Sequence, residues 1–287
     1  AFFFSLLTTA PAYAAGQGLT ISGPGLNNPE PVMITQEQLN GIEPLPPEIQ
    51  TIYGKEYLEQ HDEWYSTINT WPTKSWYRGK GVRLIDLLEA AGGINDQAVQ
   101  IRFTSADGFK ASFAIQELLG ETSYRFPNFM ENGLAGHLIG DASEAEPVDT
   151  IIAYLSSSAQ TVDEVMNDSW LSNGDANLLI FGQRAVTQQT NARFVKYLKS
   201  IEVLTDPMPR WDGPTVSIEP GEVPAGTRIE LKSKYNDEDK VHYTLDGSDP
   251  TIESPMYNWI ASRWWYSRAD ELEEINRPIE ITKDTII

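Results

Sequence analysis

The side chains best suited to chemistry in this chain are basic ones, in two groups: Lys74, Arg78 and Lys80, and then Arg184, Arg193 and Lys196. An arginine fork can hold a phosphate or carboxylate through two parallel hydrogen bonds, so cations gathered in an otherwise acidic chain are candidates for holding an anionic cofactor. The plainer reading of each is solvated or salt-bridged surface. Just ahead of the first group lie Ser66, Thr67, Asn69 and Thr70, which suit either a polar pocket floor or groups that cap a loop. His61, His137 and His242 lie too far apart for metal-ligand spacing, and only His137 is near a pocket-like loop. No G-x-S-x-G motif marks a serine nucleophile. Asp237, Glu238 and Asp239 offer oxygens to calcium without the glycine and spacing of an EF-hand, and read as a solvated loop. Trp259, Trp264 and Trp265 suggest sugar stacking. Adjacent residues on a helix point about 100° apart and make no flat platform, so packing within the domain or between domains is the simpler use.

The elements that must position these residues come from a chain of 287 residues with 40% hydrophobic content, enough for two domains with a substantial core. A net charge of −20 argues against nucleic acid or an anionic membrane as partner. The chain has no cysteine, which excludes disulfides and thiolate metal ligands. AFFFSLL at 1–7 is an apolar run too short to span a bilayer, and the small-x-small pattern Ala12-Tyr13-Ala14 follows it. Residues 1–15 therefore read as the remnant of a signal peptide, the alternative being a buried strand, and the protein is expected to be secreted or at the cell surface. No other segment reaches the ~18 apolar residues of a transmembrane helix.

Alternating patterns predict strands at 19–23, 98–105, 109–114 and 148–155, with a hairpin turn at Asp107-Gly108. Thr35 with Gln38 three residues on predicts a helix N-cap. Residues 42–63 read as a loop whose Tyr53 and Tyr57, with Trp64 just beyond it, pack onto the domain. Residues 65–88, YSTINTWPTKSWYRGKGVRLIDLL, read as an aromatic loop, a turn at Gly79-Lys80-Gly81 and a short helix with Val82, Leu84, Leu87 and Leu88 inward. The interval 115–119 predicts a helical turn and 178–181 a strand. Pro207, Pro209, Gly213 and Pro214 mark a boundary.

The stretch at 65–88 resembles the molybdopterin-binding domain of the sulfite oxidase type, in which a loop ending W-x-G-x-x-L-x-x-L-L leads into a helix. The Ser105-Ala106-Asp107-Gly108-Phe109 turn and the closing FVKYLKSIEV at 194–203 extend the likeness. In that family the loop supplies a cysteine that ligates molybdenum, and the equivalent position here is about Ser66. The resemblance implies molybdopterin as cofactor and Ser66, Asn69, Arg78, Arg184 and Lys196 as the residues that would hold it. Farther on, VHYTLDGSDPT at 241–251 resembles the Y-Y-T-x-D-G-S-x-P-T signature of the C-terminal β-sandwich module of chitobiase and hexosaminidase type, and PIEITKDT at 278–285 resembles that module's P-I-x-I-x-x-x-T strand. Residues 256–276 read as a helical insertion within it, and the module as truncated at its last strand.

The expected class is α+β: a mixed α/β sulfite-oxidase-like domain over 19–204, a linker over 205–214, and an Ig-like β-sandwich over 215–287. A serine hydroxyl is a harder and far less acidic donor than the thiolate it replaces. The expected function is thus a secreted or cell-surface binding protein built on the oxidoreductase-type domain without its molybdenum–thiolate chemistry. The alternatives are an active molybdopterin-dependent oxidoreductase with a non-cysteine ligand, and a protein associated with cell-wall polysaccharide. Expected partners are a small ligand or a wall polysaccharide.

Overall fold

The computed structural model describes residues 18–69, 73–130, 140–209, 212–232, 241–257 and 278–287. Residues 1–15, His137, the 236–239 loop and the three tryptophans at 259, 264 and 265 lie outside the described residues. Two sheets organise the larger part. Strand β1 (Leu19–Ser22) pairs antiparallel with β2 (Val32–Ile34). Short helices α1 (Gln36–Leu39) and α2 (Pro47–Tyr53) follow. The capping box forms as expected: Thr35 Oγ1 accepts from the Gln38 N–H at 3.1 Å, and Gln38 Oε1 accepts from the Thr35 N–H at 2.9 Å.

The stretch expected to be a loop is instead the centre of the second sheet. β3 (His61–Ile68) and β4 (Lys74–Arg83) form one long antiparallel ladder, and α3 (Leu84–Ala90) starts directly after it. Aromatic and β-branched residues are concentrated in both segments, Trp64, Tyr65, Thr67 and Ile68 in one and Trp76, Tyr77 and Val82 in the other, and packing on both faces of the ladder makes them a strand pair rather than a loop. Gly79 and Gly81 therefore make no turn. A Cβ on Gly81 would stand 2.0 Å from the Ile152 carbonyl oxygen, and one on Gly79 2.8 Å from Ala153 Cβ; both glycines serve the close approach of β4 to its neighbour. Leu84, Leu87 and Leu88 of α3 are buried as the pattern requires.

β5 (Gln100–Ser105) and β6 (Lys110–Ala114) form the expected hairpin, with Gly108 at φ 93° in its turn. A single π-helical turn spans Gln116–Gly120. β7 (Tyr124–Arg125) pairs with β8 (Glu146–Pro147). β9 (Ile151–Ala159) pairs with β4, and α4 (Val162–Val165) follows it. β10 (Leu178–Ile180) and β11 (Leu198–Leu204) end this part. The sheet orders are β2-β1-β11-β5-β6 and β10-β9-β4-β3, with β1 and β11 parallel.

One core cluster joins residues of both sheets and of α1, α2 and α3, from Leu19 and Ile101 to Tyr65, Val82 and Leu179. A chain of edge-to-face rings crosses it, Phe103–Phe113–Phe181–Phe194–Tyr77, with centroids 5.1–5.7 Å apart. Pleating sends alternate β3–β4 residues to the opposite face, where Ile68 and Trp76 pack with Phe126 and Phe129, and Trp64 against them, as a second cluster. Tyr53 is buried as expected, whereas Tyr57 is exposed, because α2 turns its apolar side inward before Tyr57 is reached.

The C-terminal part holds three short antiparallel pairs: β12 (Thr215–Val216) with β14 (Leu231–Lys232), β13 (Thr227–Ile229) with β17 (Ile279–Ile281), and β15 (Val241–His242) with β16 (Met256–Tyr257). Their small core is Leu231, Val241, Tyr257 and Ile279. The chain is thus sheet-rich, its longest described α-helices having seven residues. Of the α+β expectation, the structure bears out only a mostly β, sheet-rich chain with few helices among the described residues.

Candidate functional site

Ser66 lies in β3, facing the second cluster, and is fully buried. Its hydroxyl donates to Gln183 Oε1 at 2.5 Å and accepts from the Phe126 N–H at 2.9 Å. Gln183, also fully buried, donates from Nε2 to the carbonyls of Val186 and Gln188 at 3.1 and 2.8 Å. Its backbone exchanges two hydrogen bonds with Tyr124. One hydroxyl and one amide therefore tie together β3, the 124–126 segment and the 183–188 loop. On the other face Thr67 Oγ1 meets Ser75 and takes a bond from Asn191 Nδ2 at 3.3 Å. Asn69 closes the β3–β4 hairpin, its Oδ1 accepting from the Thr73 N–H at 3.1 Å; Thr70 lies outside the described residues.

The candidate cations form separate, charge-balanced groups. Arg78 is buried and grips Asp62 with Nε and Nη2, both at 2.7 Å, while Nη1 reaches the Met166 carbonyl and Asp168. Lys80 shares the same two carboxylates at 3.4 and 3.5 Å. Burial pushes the Asp62 carboxyl up, but bonding to Arg78 outweighs it and the net shift is downward. Arg184 bonds Glu121 at 2.6 Å and stands 3.4 Å from Glu117; Arg193 takes Glu117 at 2.5 Å and stacks 4.0 Å over the Phe113 ring. Lys196 is apart from both, paired with Asp175 at 2.8 Å. Lys74 is buried, its Nζ donating to the Phe129 carbonyl, and burial holds its pKa below the ordinary lysine value.

The structure thus joins Ser66 to the Arg184 loop through Gln183, gathers Arg78 with Lys80 and Arg184 with Arg193, and leaves Asn69 and Lys196 elsewhere. Sequence reasoning missed Gln183 as the hub, and missed the carboxylates Asp62, Glu117, Asp168 and Asp175; only their sign was visible, as part of the overall acidity. It also missed a cavity of about 400 Å³ among Glu63, Arg83, Leu118, Ser123, Asp149 and Thr150. Among the described residues no three His, Asp or Glu side chains converge so as to hold a metal ion, and no described helix is long and apolar enough to cross a membrane.

A protein-family model described as Fn3 associated matches residues 229–287. That match covers too little of the chain to place the whole. No curated protein matches the sequence. Among solved structures, the crystal structure of the sulfane dehydrogenase SoxCD from Paracoccus pantotrophus matches at 10% identity and a TM-score of 0.34, over 66% of this chain. This chain spans 38% of the length of that one. A likeness of that size is too slight to fix fold or chemistry.

Proposed function

We propose that this protein is an exported binding protein whose larger domain, residues 19–204, is of molybdopterin-binding type by descent but does not perform molybdenum chemistry, and whose C-terminal part, residues 215–287, is an Ig-like spacer that contains the Fn3-associated match at 229–287. The observation that carries this reading is the state of Ser66. Its hydroxyl is sealed from solvent, its proton is committed to Gln183, and its lone pair is taken by the Phe126 N–H. To ligate a metal it would have to abandon both bonds and lose a proton in a site with no adjacent base, leaving a buried amide oxygen and a buried N–H unsatisfied. The cations that would hold a pterin phosphate are each engaged by a carboxylate or a carbonyl. The residues present do not fit a molybdenum–pterin centre. Export rests on the apolar 1–7 run and Ala12-Tyr13-Ala14.

The test is molybdenum and pterin analysis of protein made in a host that synthesises the cofactor, beside Ser66→Ala. Metal and pterin at background in both proteins is the expected result. Stoichiometric molybdenum lost in Ser66→Ala would overturn the reading in favour of a molybdopterin-dependent oxidoreductase with a serine ligand.

A further inference from the structure

Three asparagines in the chain are followed directly by glycine: Asn40, Asn132 and Asn173. At such a step the next backbone nitrogen reaches the side-chain carbonyl carbon readily, because glycine has no Cβ to hinder the closure. A folded protein permits that closure only where the asparagine side chain and the glycine N–H are both unrestrained. The fold treats Asn40 and Asn173 in opposite ways, and Asn132 lies outside the described residues.

At Asn40 both groups are held. Its Oδ1 accepts from Gln36 Nε2 at 2.8 Å, and the Gly41 N–H donates to the Gln38 carbonyl at 3.1 Å. The Asn40 N–H itself closes the end of α1 on the Gln36 carbonyl at 2.9 Å. Turning the Gly41 nitrogen onto Asn40 Cγ would undo this helix end.

At Asn173 neither group is held. Asn173 and Gly174 are both exposed, and among the described residues no hydrogen bond engages the Asn173 side chain. The Gly174 N–H meets only Ser172 Oγ, at a long 3.4 Å. A Cβ on Gly174 would find nothing nearer than that same oxygen, at 3.5 Å, so the space around the step is open. The Asn173 carbonyl accepts from the Ala176 N–H at 3.0 Å, but neither reacting atom takes part in that bond. The anchors lie on either side: Ser172 exchanges two backbone bonds with Ser156, both 2.9 Å, and Asp175 pairs with Lys196 at 2.8 Å. Rotation at 173–174 leaves both in place, the condition for a local opening of low cost.

We propose that Asn173 is a modification site, at which the folded protein deamidates spontaneously with water as co-reactant. The Gly174 nitrogen loses its proton to solvent and attacks Asn173 Cγ. The bond from Cγ to the side-chain nitrogen breaks, and that nitrogen leaves as ammonia with a proton from water, closing a cyclic imide. Water then adds to one ring carbonyl and opens the ring, with no change of oxidation state. Opening at the former main-chain carbonyl leaves isoaspartate, and opening at the former side-chain carbonyl leaves aspartate. Either product adds a negative charge to a chain already at −20. Isoaspartate also lengthens the backbone by a methylene between the Ser156–Ser172 bridge and the Asp175–Lys196 pair.

The experiment is incubation of the whole chain at mildly alkaline pH, folded and in urea, with peptide mapping by mass spectrometry and an enzymatic assay for isoaspartate. In the folded chain Asn173 is expected to convert at least about tenfold faster than Asn40, whose hydrogen bonds must break first. Urea, which removes those bonds, should bring Asn40 up toward the Asn173 rate. Gly174→Ala should slow the conversion, and Asn173→Gln should abolish the isoaspartate signal from this peptide. Conversion of Asn173 no faster than that of Asn40 in the folded chain, or conversion confined to urea, overturns the proposal.

Discussion

Ser66 and Glu63 belong to the same strand and are treated in opposite ways. The pleat sends them to opposite faces of the β3–β4 ladder. At Ser66 every polar atom has a partner: the hydroxyl, the Gln183 amide and the Phe126 N–H form a closed set beneath an aromatic cover of Trp76, Phe126 and Phe129. Around Glu63 the polar groups are held more loosely: Glu63 and Asp149 stand 3.6 and 3.7 Å from arginines whose hydrogen bonds go to Glu146 and Asp86, and the buried Thr150 hydroxyl meets no hydrogen-bond partner among the described residues. The position that resemblance marks as chemical is therefore built as a structural joint, whereas the cavity that no motif marks is lined by ion pairs at longer range. A closed polar network rigidifies a fold.

The most severe way to break this comparison is to remove the frame both positions share. Gly81→Val puts a side chain where a Cβ already meets the Ile152 carbonyl at 2.0 Å; the β4–β9 pairing cannot relax around backbone. The expected loss is at least about 3 kcal/mol, read as failure to fold or a collapse of the urea midpoint. Next in size is Ser66→Ala. It leaves the Gln183 carbonyl oxygen and the Phe126 N–H buried without partners, for an expected loss of about 2 kcal/mol. Unchanged stability in Ser66→Ala would mean that the joint is not structural, and the contrast with Glu63 would lapse.

Much of this frame was legible in sequence. The Thr35–Gln38 capping box, the Asp107-Gly108 hairpin and the inward leucines of α3 are local devices, and each formed as the residues dictate. The β3–β4 hairpin was misread because its proline and tryptophan suggested a loop and its glycines a turn, when the glycines were needed for a contact with β9, distant in sequence. The same limit applies to the sites. Ser66 could be picked out by position, but its saturation depends on Gln183 and Phe126, which no short window contains. The Glu63 cavity is assembled from β3, the residues after the π-turn, and the approach to β9. Its carboxylates are ordinary letters in an acidic chain until the fold sets each beside an arginine that it shares with another carboxylate.

A smaller effect sharpens the comparison through pH. Glu63 holds its proton more tightly when folded than when unfolded, so the folded state binds more protons across the window just above the ordinary carboxylate range. Stability contributed by this group is present at low pH and falls as pH rises through that window. Asp86 has the opposite sign: burial raises its carboxyl, bonding and charge from Arg83 more than reverse that, and its stabilisation is lost as pH falls below the ordinary range. Chemical unfolding at a series of pH values is expected to show Glu63→Gln flattening the decline on the upper side and Asp86→Asn flattening the acid side. An unchanged upper limb in Glu63→Gln would show that Arg125 fully compensates the Glu63 carboxylate in the folded state.

The smallest expected effect concerns the cations on the Ser66 face. Lys80 stands 3.4 and 3.5 Å from Asp62 and Asp168, and all three side chains are partly exposed, so solvent screens the pairing. Arg78 already satisfies Asp62 with two bonds at 2.7 Å. Lys80→Gln should therefore cost under about 0.5 kcal/mol, with little change when salt is raised. A loss much larger than this would mean that Lys80 carries charge the arginine does not balance, and that this group has spare capacity for an anion after all. The cations of the Ser66 face would then be a binding feature rather than a balanced surface group.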